Sequence, residues 1–160
     1  MTQRFHLVTN WQFDAPVDAV WAHLTDPKSF PTWWPGFERA EVEGDGGVGT
    51  VSRYLVRGDF GLRFNLETTV VDLQEPQSIR LTSTGGLVGT GVWWLHADGP
   101  RTKVTYVWEV EPSNPFLRLL GRIPFVRRRM ERSHDGVMTA GGENLARLLA
   151  ARATDRISIG

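Results

Sequence analysis

Hydrophobic and polar residues alternate with two different periods along this chain, and the change between them divides it. Residues 5–13 set Leu7, Thr9, Trp11 and Phe13 against Val8, Asn10 and Gln12, the period-2 pattern of a strand with one buried face. Asp14-Ala15-Pro16 ends that strand. Val17, Val20, Trp21 and Leu24 then share one helical face, with Pro16 close to the first turn, where a missing N–H does no harm. Thr25-Asp26-Pro27 stops the helix, and Lys28 to Trp33 predicts a second short one closed by Trp34-Pro35-Gly36. Further strands are predicted over residues 37–43, 48–57, 62–73, 78–84, 87–97 and 102–111, parted by turns such as Gly44-Asp45-Gly46-Gly47 and Ala97-Asp98-Gly99-Pro100. From Asn114 to Ala151 the period becomes helical. Pro124 lacks a donor and clashes with the preceding turn, so a break is expected at Gly121-Arg122-Ile123-Pro124, and residues 113–124 become a candidate lid.

This order predicts an α+β fold in which a curved antiparallel sheet of about seven strands wraps around the long C-terminal helix, with two short helices after the first strand. Residues 1–151 are expected to form a single domain, a ligand-binding one if the space between sheet and helix is hollow, and 152–160 a flexible tail. A sheet closed over by a helix can leave a hollow between them, and the inner faces say what would line it. Val104, Tyr106, Trp108 and Val110 alternate with Lys103, Thr105, Val107, Glu109 and Glu111 and should point inward. Gly85, Leu87, Gly89, Gly91, Trp93 and Leu95 recur at period 2. Glycine weakens a strand, so its alignment on one face implies close approach of the helix, a bulge, or room for a ligand. In residues 62–73 the inner set is Leu62, Phe64, Leu66, Thr68 and Val70, and the out-of-phase Val71 and Leu73 imply a bulge. On the long helix, Met130, His134, Val137, Met138, Gly141, Leu145 and Leu148 form one mostly apolar stripe. Gly136, Gly141 and Gly142 each weaken a helix by about 1 kcal/mol relative to Ala, which implies tight helix–sheet contact or a thinned cavity wall.

Composition removes several function classes. The 160 residues carry 18 basic and 18 acidic side chains, so no global field favours nucleic acid. Cysteine is absent, which excludes disulfides, thiolate metal sites and a cysteine nucleophile. No two histidines have ligand spacing, and His6, His23 and His96 are expected on outer faces, so neither a metal nor a cofactor is expected. The opening residues lack a signal-peptide core and no apolar run could span a membrane, which makes the cytoplasm the expected location. Seven tryptophans require burial or a ligand.

Phe13-Asp14-Ala15-Pro16-Val17-Asp18-Ala19-Val20-Trp21, followed by Leu24-Thr25-Asp26-Pro27 and Trp33-Trp34-Pro35-Gly36, resembles the opening of the START-like (Bet v 1-like) helix-grip proteins. Gly85-x-Leu87-x-Gly89-x-Gly91-x-Trp93-x-Leu95, Asn114-Pro115 and His134-Asp135-x-Val137-Met138 ahead of Gly142-Glu143-x-Leu145 resemble the bacterial polyketide cyclase/dehydrase branch of that superfamily. The likeness covers about residues 5–150 and implies the fold and a cavity, while members differ in function. Gly136 stands where members often carry Trp, and Ala140-Gly141-Gly142-Glu143 where Arg-Gly-Glu is common; loss of the helix Trp would enlarge the pocket or alter access to it.

The chemistry then reduces to few candidates. Ser133-His134-Asp135 has the residue types of a hydrolytic triad, but consecutive helical residues point about 100° apart and cannot aim at one another. His134 lies on the inward stripe, either as a proton donor or acceptor for a carbonyl ligand or as a core histidine bonded to a strand. Tyr106 is the other catalytic candidate. Gly86-x-x-Gly89-x-Gly91 precedes a strand rather than a helix and is no phosphate loop. The expected ligand-binding set is Tyr54, Phe64, Leu66, Trp93, Leu95 and Tyr106 from the sheet with Trp108, and Met130, His134, Val137 and Met138 from the helix. A phase slip of one residue would bring in Arg53, Arg63 and Glu67 instead. Trp33 and Trp34 either rim the pocket or pack the short helix on the sheet. Arg118, Arg122, Arg127, Arg128, Arg129 and Arg132 are interleaved with apolar residues over 116–132, which reads either as a transient membrane contact or as a solvated face paired with acids. The expected function is binding of a hydrophobic small molecule (lipid, isoprenoid or polyketide-like) by a monomer or a homodimer. The alternative is an aromatase/cyclase acting on a polyketide-like substrate in the same cavity.

Overall fold

The structure is a computed structural model that describes residues 4–58 and 61–159, with side chains to residue 152. One antiparallel sheet contains β1 (Phe5–Phe13), β2 (Phe37–Glu43), β3 (Val51–Arg57), β4 (Arg63–Gln74), β5 (Ser78–Gly85), β6 (Leu87–Asp98) and β7 (Arg101–Pro112). Its order is β1-β7-β6-β5-β4-β3-β2, so consecutive strands are neighbours except where the chain crosses from one edge, β1, to the other, β2. That crossing is made by α1 (Val17–Leu24), a 3₁₀ turn at Pro27–Ser29 and α2 (Phe30–Trp33). After β7 come α3 (Pro115–Leu120) and α4 (Pro124–Ile159). This is the α+β helix-grip arrangement. The break falls at Gly121-Arg122-Ile123, before Pro124. Of the tail expected at 152–160, the backbone continues α4 to Ile159, and the side chains from 153 onward lie outside the described residues.

Strand phase follows the alternation. On β7, Val104, Tyr106, Trp108 and Val110 are buried, and on β6 so are Gly91, Trp93 and Leu95. Tyr54 of β3 pairs with Leu66 of β4 on the inner face. Arg53 lies outside, 2.8 Å from Glu43 and 3.0 Å from Glu67, and Arg63 is 2.8 Å from Glu38. These charges therefore stay in solvent and do not line the interior. A register shift between Val70 and Asp72 puts the expected bulge at Val71. Two boundaries differ from expectation. β3 begins at Val51 rather than at 48, because Gly49 turns with a φ of 92°. Leu62 lies before β4 and is 65% exposed, not inward.

The strand glycines have a different cause from those expected. A Cβ on Gly89 would overlap the Glu109 carbonyl of β7, and one on Gly91 would lie 2.7 Å from the Tyr106 hydroxyl. They admit the neighbouring strand and a tyrosine ring, neither the helix nor a ligand. The helix glycines do mark tight contact. Trp34 Nε1 donates to the Val137 carbonyl at 2.9 Å, and Trp11 Nε1 to the Met138 carbonyl at 3.1 Å. A Cβ on Gly141 would overlap the Trp34 indole, and one on Gly142 would lie 2.6 Å from Trp11 Nε1. Gly136 has nothing within 4 Å of that position and faces open space.

His23 is a correction. It is buried rather than on an outer face, because α1 buries Val20, Trp21, His23 and Leu24, a wider arc than the apolar stripe implies. Desolvation, and then Arg152, push its pKa below the ordinary value, against the pull of Asp26.

Candidate functional site

The inner wall of the sheet is aromatic, and its rings fill one end of the space beneath α4. Trp93 stacks on Tyr106 with centroids 4.0 Å apart, and it meets Trp11 at 5.6 Å and Trp34 at 6.2 Å. Trp11 comes from β1, Trp34 from the end of α2 and Trp93 from β6, so this cluster ties both sides of the fold to the Gly141–Gly142 turn of α4. Trp33 and Trp34 are 6% and 3% exposed, which makes them packing residues rather than a rim. Asn144 adds to that contact by donating to the Trp33 carbonyl at 2.9 Å.

Two helical turns earlier the packing changes. Of the expected ligand set, Tyr54, Leu66, Trp93, Leu95, Tyr106, Trp108 and Met138 are buried, whereas Phe64, Met130, His134 and Val137 are half-buried. These half-buried residues belong to β4 and to the first half of α4. Gly58, beside the β3–β4 turn, brings that hairpin close to both Ser133 and Phe64.

His134 faces Trp108 here, with ring centroids 5.6 Å apart. Trp108 Nε1 and both His134 ring nitrogens are buried, and none has a hydrogen-bond partner among the described residues. The nearest acid, Asp135, is 3.7 Å from His134 Nδ1, beyond hydrogen-bond length. Burial pushes the His134 pKa below its ordinary value, with Asp135 opposing. At neutral pH the ring is therefore uncharged, with one nitrogen a donor and the other an acceptor. An apolar interior thus presents two N–H donors and one acceptor, each left unpaired at about 1–3 kcal/mol. His134 is half-buried with both ring nitrogens buried, and it is not bonded to a strand.

No triad forms around it. Ser133 turns toward the β3–β4 hairpin while His134 turns toward Trp108. Both tyrosines are held as neutral phenols. Burial, partly offset by hydrogen bonds with Ser52 and Thr68, pushes Tyr54 up to about 12, and burial raises Tyr106 further. Among the described residues no group of His, Asp and Glu could hold a metal ion, and no helix is long and apolar enough to cross a membrane.

Two clefts open at the margins of the fold. One, of about 600 Å³, runs between β1 and α4 and is bordered by Trp11, Asp135 and Met138, the last being its single member of the expected ligand set. The other, of about 350 Å³, lies beneath α3 and is lined by Phe5, Glu111, Arg118, Arg122 and Arg127 among others. Sequence reasoning missed this second cleft, whose walls come from opposite ends of the chain. Its only signal was the crowding of arginines beyond residue 116. The outer face carries Trp94, 45% exposed, with the Arg80 guanidinium 5.7 Å from its ring centroid.

Residues 4–150 match the family described as polyketide cyclase/dehydrase and lipid transport. Among curated proteins no sequence matches. The fold is similar to that of the Zhui aromatase/cyclase from a Streptomyces species, with a TM-score of 0.75, 20% identity, and coverage of 94% of this chain and 96% of that one. It is also similar to norcoclaurine synthase from Thalictrum flavum, solved with dopamine and hydroxybenzaldehyde, at a TM-score of 0.64, 20% identity and coverage of 94% and 88%. A Mycobacterium smegmatis protein aligns at a TM-score of 0.68, 18% identity and coverage of 92% of each chain.

Proposed function

Because the chain belongs to the polyketide cyclase/dehydrase and lipid transport family, we propose that it binds a hydrophobic small molecule between the sheet and the first half of α4. The ligand is lipid-, isoprenoid- or polyketide-like. One observation carries this reading: the unpartnered Trp108 and His134 nitrogens lie together in an apolar interior. A ligand carbonyl or hydroxyl placed between them would relieve that desolvation, while its apolar body would lie along Phe64, Met130 and Val137. Farther along α4, Trp11 and Trp34 lie against Gly142 and Gly141 and close the space between sheet and helix.

Native mass spectrometry of freshly purified protein is expected to show a co-purified small molecule. Trp108→Phe keeps the apolar ring and removes the N–H, so retention of that molecule should weaken about tenfold, the loss of one buried hydrogen bond. Protein that carries no small molecule, or a variant that retains it as well as the parent, would refute the site.

A second reading rests on the state of His134. A neutral imidazole whose two nitrogens are buried and unpartnered can take or give a proton, as an aromatase/cyclase acting on a folded poly-ketone would need. His134→Ala and Tyr106→Phe separate the two. A carrier keeps most of its affinity in Tyr106→Phe and loses about tenfold in His134→Ala, as in Trp108→Phe, whereas a cyclase loses far more turnover than affinity in both variants.

A further inference from the structure

α3 is an apolar helix with no buried residue. Phe116 is 65% exposed and Leu119 59%, and beyond the break Ile123 is 40% and Phe125 72% exposed. Isolated exposed apolar residues are ordinary, but a run of them on one short segment marks an interaction surface. Charge on the same segment is one-sided. From Ser113 to Met130 the chain carries Arg118, Arg122, Arg127, Arg128 and Arg129 and no Asp or Glu, although the whole chain balances 18 basic against 18 acidic residues. Arg118, Arg122 and Arg127 line the 350 Å³ cleft together with Glu111, so positive charge there outnumbers negative three to one.

The arginines are not equivalent. Arg127 is engaged within the fold: its guanidinium lies 4.3 Å from the Phe5 ring centroid, it donates to the Arg4 carbonyl at 3.0 Å, and it is 3.4 Å from Glu131. Arg118 donates to the Ser113 carbonyl at 3.3 Å, but its Nε is buried without a partner. Arg122 and Arg128 are exposed and make no ion pair among the described residues. Pairing with acids elsewhere, one of the two readings of this cluster, therefore does not account for Arg118, Arg122 or Arg128.

We infer that α3 and the start of α4 dock on an anionic phospholipid bilayer, with Phe116, Leu119, Ile123 and Phe125 entering the acyl boundary and Arg118, Arg122 and Arg128 meeting headgroup phosphates. An interfacial segment combines exposed apolar residues with flanking cations, and this one supplies both, with its nearest acids, Glu111 and Glu131, at its two ends. The long arginine stems let the charges stay at headgroup level while the rings go deeper. Among the described residues no helix could span a membrane, so the contact is peripheral. This docking goes beyond the small-molecule reading and stands whether or not the interior holds a ligand.

Co-sedimentation of the full chain with vesicles tests it, using phosphatidylcholine alone and phosphatidylcholine mixed with phosphatidylserine. The protein is expected to bind the mixed vesicles, and to bind them less well when salt screens the headgroups. Each arginine near an anionic surface contributes about fivefold, so Arg118→Gln, Arg122→Gln and Arg128→Gln together should weaken binding about a hundredfold. Phe116→Ser with Phe125→Ser, at two exposed positions, should weaken it about tenfold or more with an unchanged unfolding curve. Equal binding to both vesicles, or a triple arginine variant that binds like the parent, overturns the inference. So does binding to neither vesicle, which would assign this face to a protein partner.

Discussion

Trp34 occupies the space that a side chain on Gly141 would need. Its indole reaches the Val137 carbonyl, one turn back along α4, because the helix is bare at Gly141. Trp11 repeats the arrangement with Gly142 and the Met138 carbonyl. Glycine destabilises a helix, yet here it lets two large apolar rings lie against the helix backbone with their N–H groups satisfied.

The helix glycines should therefore respond to alanine with opposite signs. Gly136→Ala meets nothing within 4 Å and should gain the ordinary propensity difference, about 1 kcal/mol. Gly141→Ala gains the same but forces the Trp34 indole to move, and overpacking of this kind costs about 1–3 kcal/mol. A lower urea midpoint for Gly141→Ala and a higher one for Gly136→Ala are expected. Equal midpoints would mean that the indole is not held as described.

Acid should destabilise the fold through its buried histidines. The folded pKa of His134, and that of His23, lies below the ordinary 6.5, so the unfolded chain binds the proton first as pH falls. Stability is unaffected by these groups well above 6.5 and declines as pH drops below it, until the folded form also protonates. Urea midpoints at about pH 7 and pH 5 should differ, and His134→Phe should reduce the difference. An undiminished difference in that variant would place the proton uptake elsewhere.

Alkali should leave the phenols silent until the protein unfolds. The chain has two tyrosines, Tyr54 and Tyr106, both buried. Burial raises Tyr54 to about 12 and Tyr106 further, so their neutral state adds stability that is complete below the unfolded value near 10 and lost as pH climbs through the folded ones. Ultraviolet titration should show little phenolate at about pH 11 in folded protein. Both tyrosines should then ionise together with the loss of tryptophan fluorescence anisotropy. A phenol that titrates near 10 in intact protein would contradict its burial.

The cap of α3 should act locally. Asn114 accepts from the Phe116 and Leu117 amides at 2.9 and 3.4 Å. Asn114→Ala should weaken α3 by about 1 kcal/mol, while global stability changes little because no residue of α3 is buried. Faster hydrogen exchange confined to residues 116–120 is the expected result, and a comparable fall in thermal midpoint would show that α3 supports the core.

Periodicity made most of this architecture legible. Alternation alone assigned the inward faces of β6 and β7 and located the bulge at Val71, because burial on one side of a pleated strand is written in every second residue. Pro124 marked the end of one helix and the start of the next because a missing donor acts locally. His23 escaped the same reasoning, since α1 packs against β6 and β7, which are distant in sequence.

The sequence by itself determined the order of elements, their faces and an aromatic interior, all properties of residues close together in the chain. Only the tertiary structure decided what those residues meet. It showed that Gly91 makes way for Tyr106 while Gly141 and Gly142 make way for tryptophans. It also brought Trp108 and His134 together as unpartnered neighbours and joined Phe5, Glu111 and Arg118 in one cleft. Such contacts depend on how a sheet curves around a helix, which local periodicity does not record.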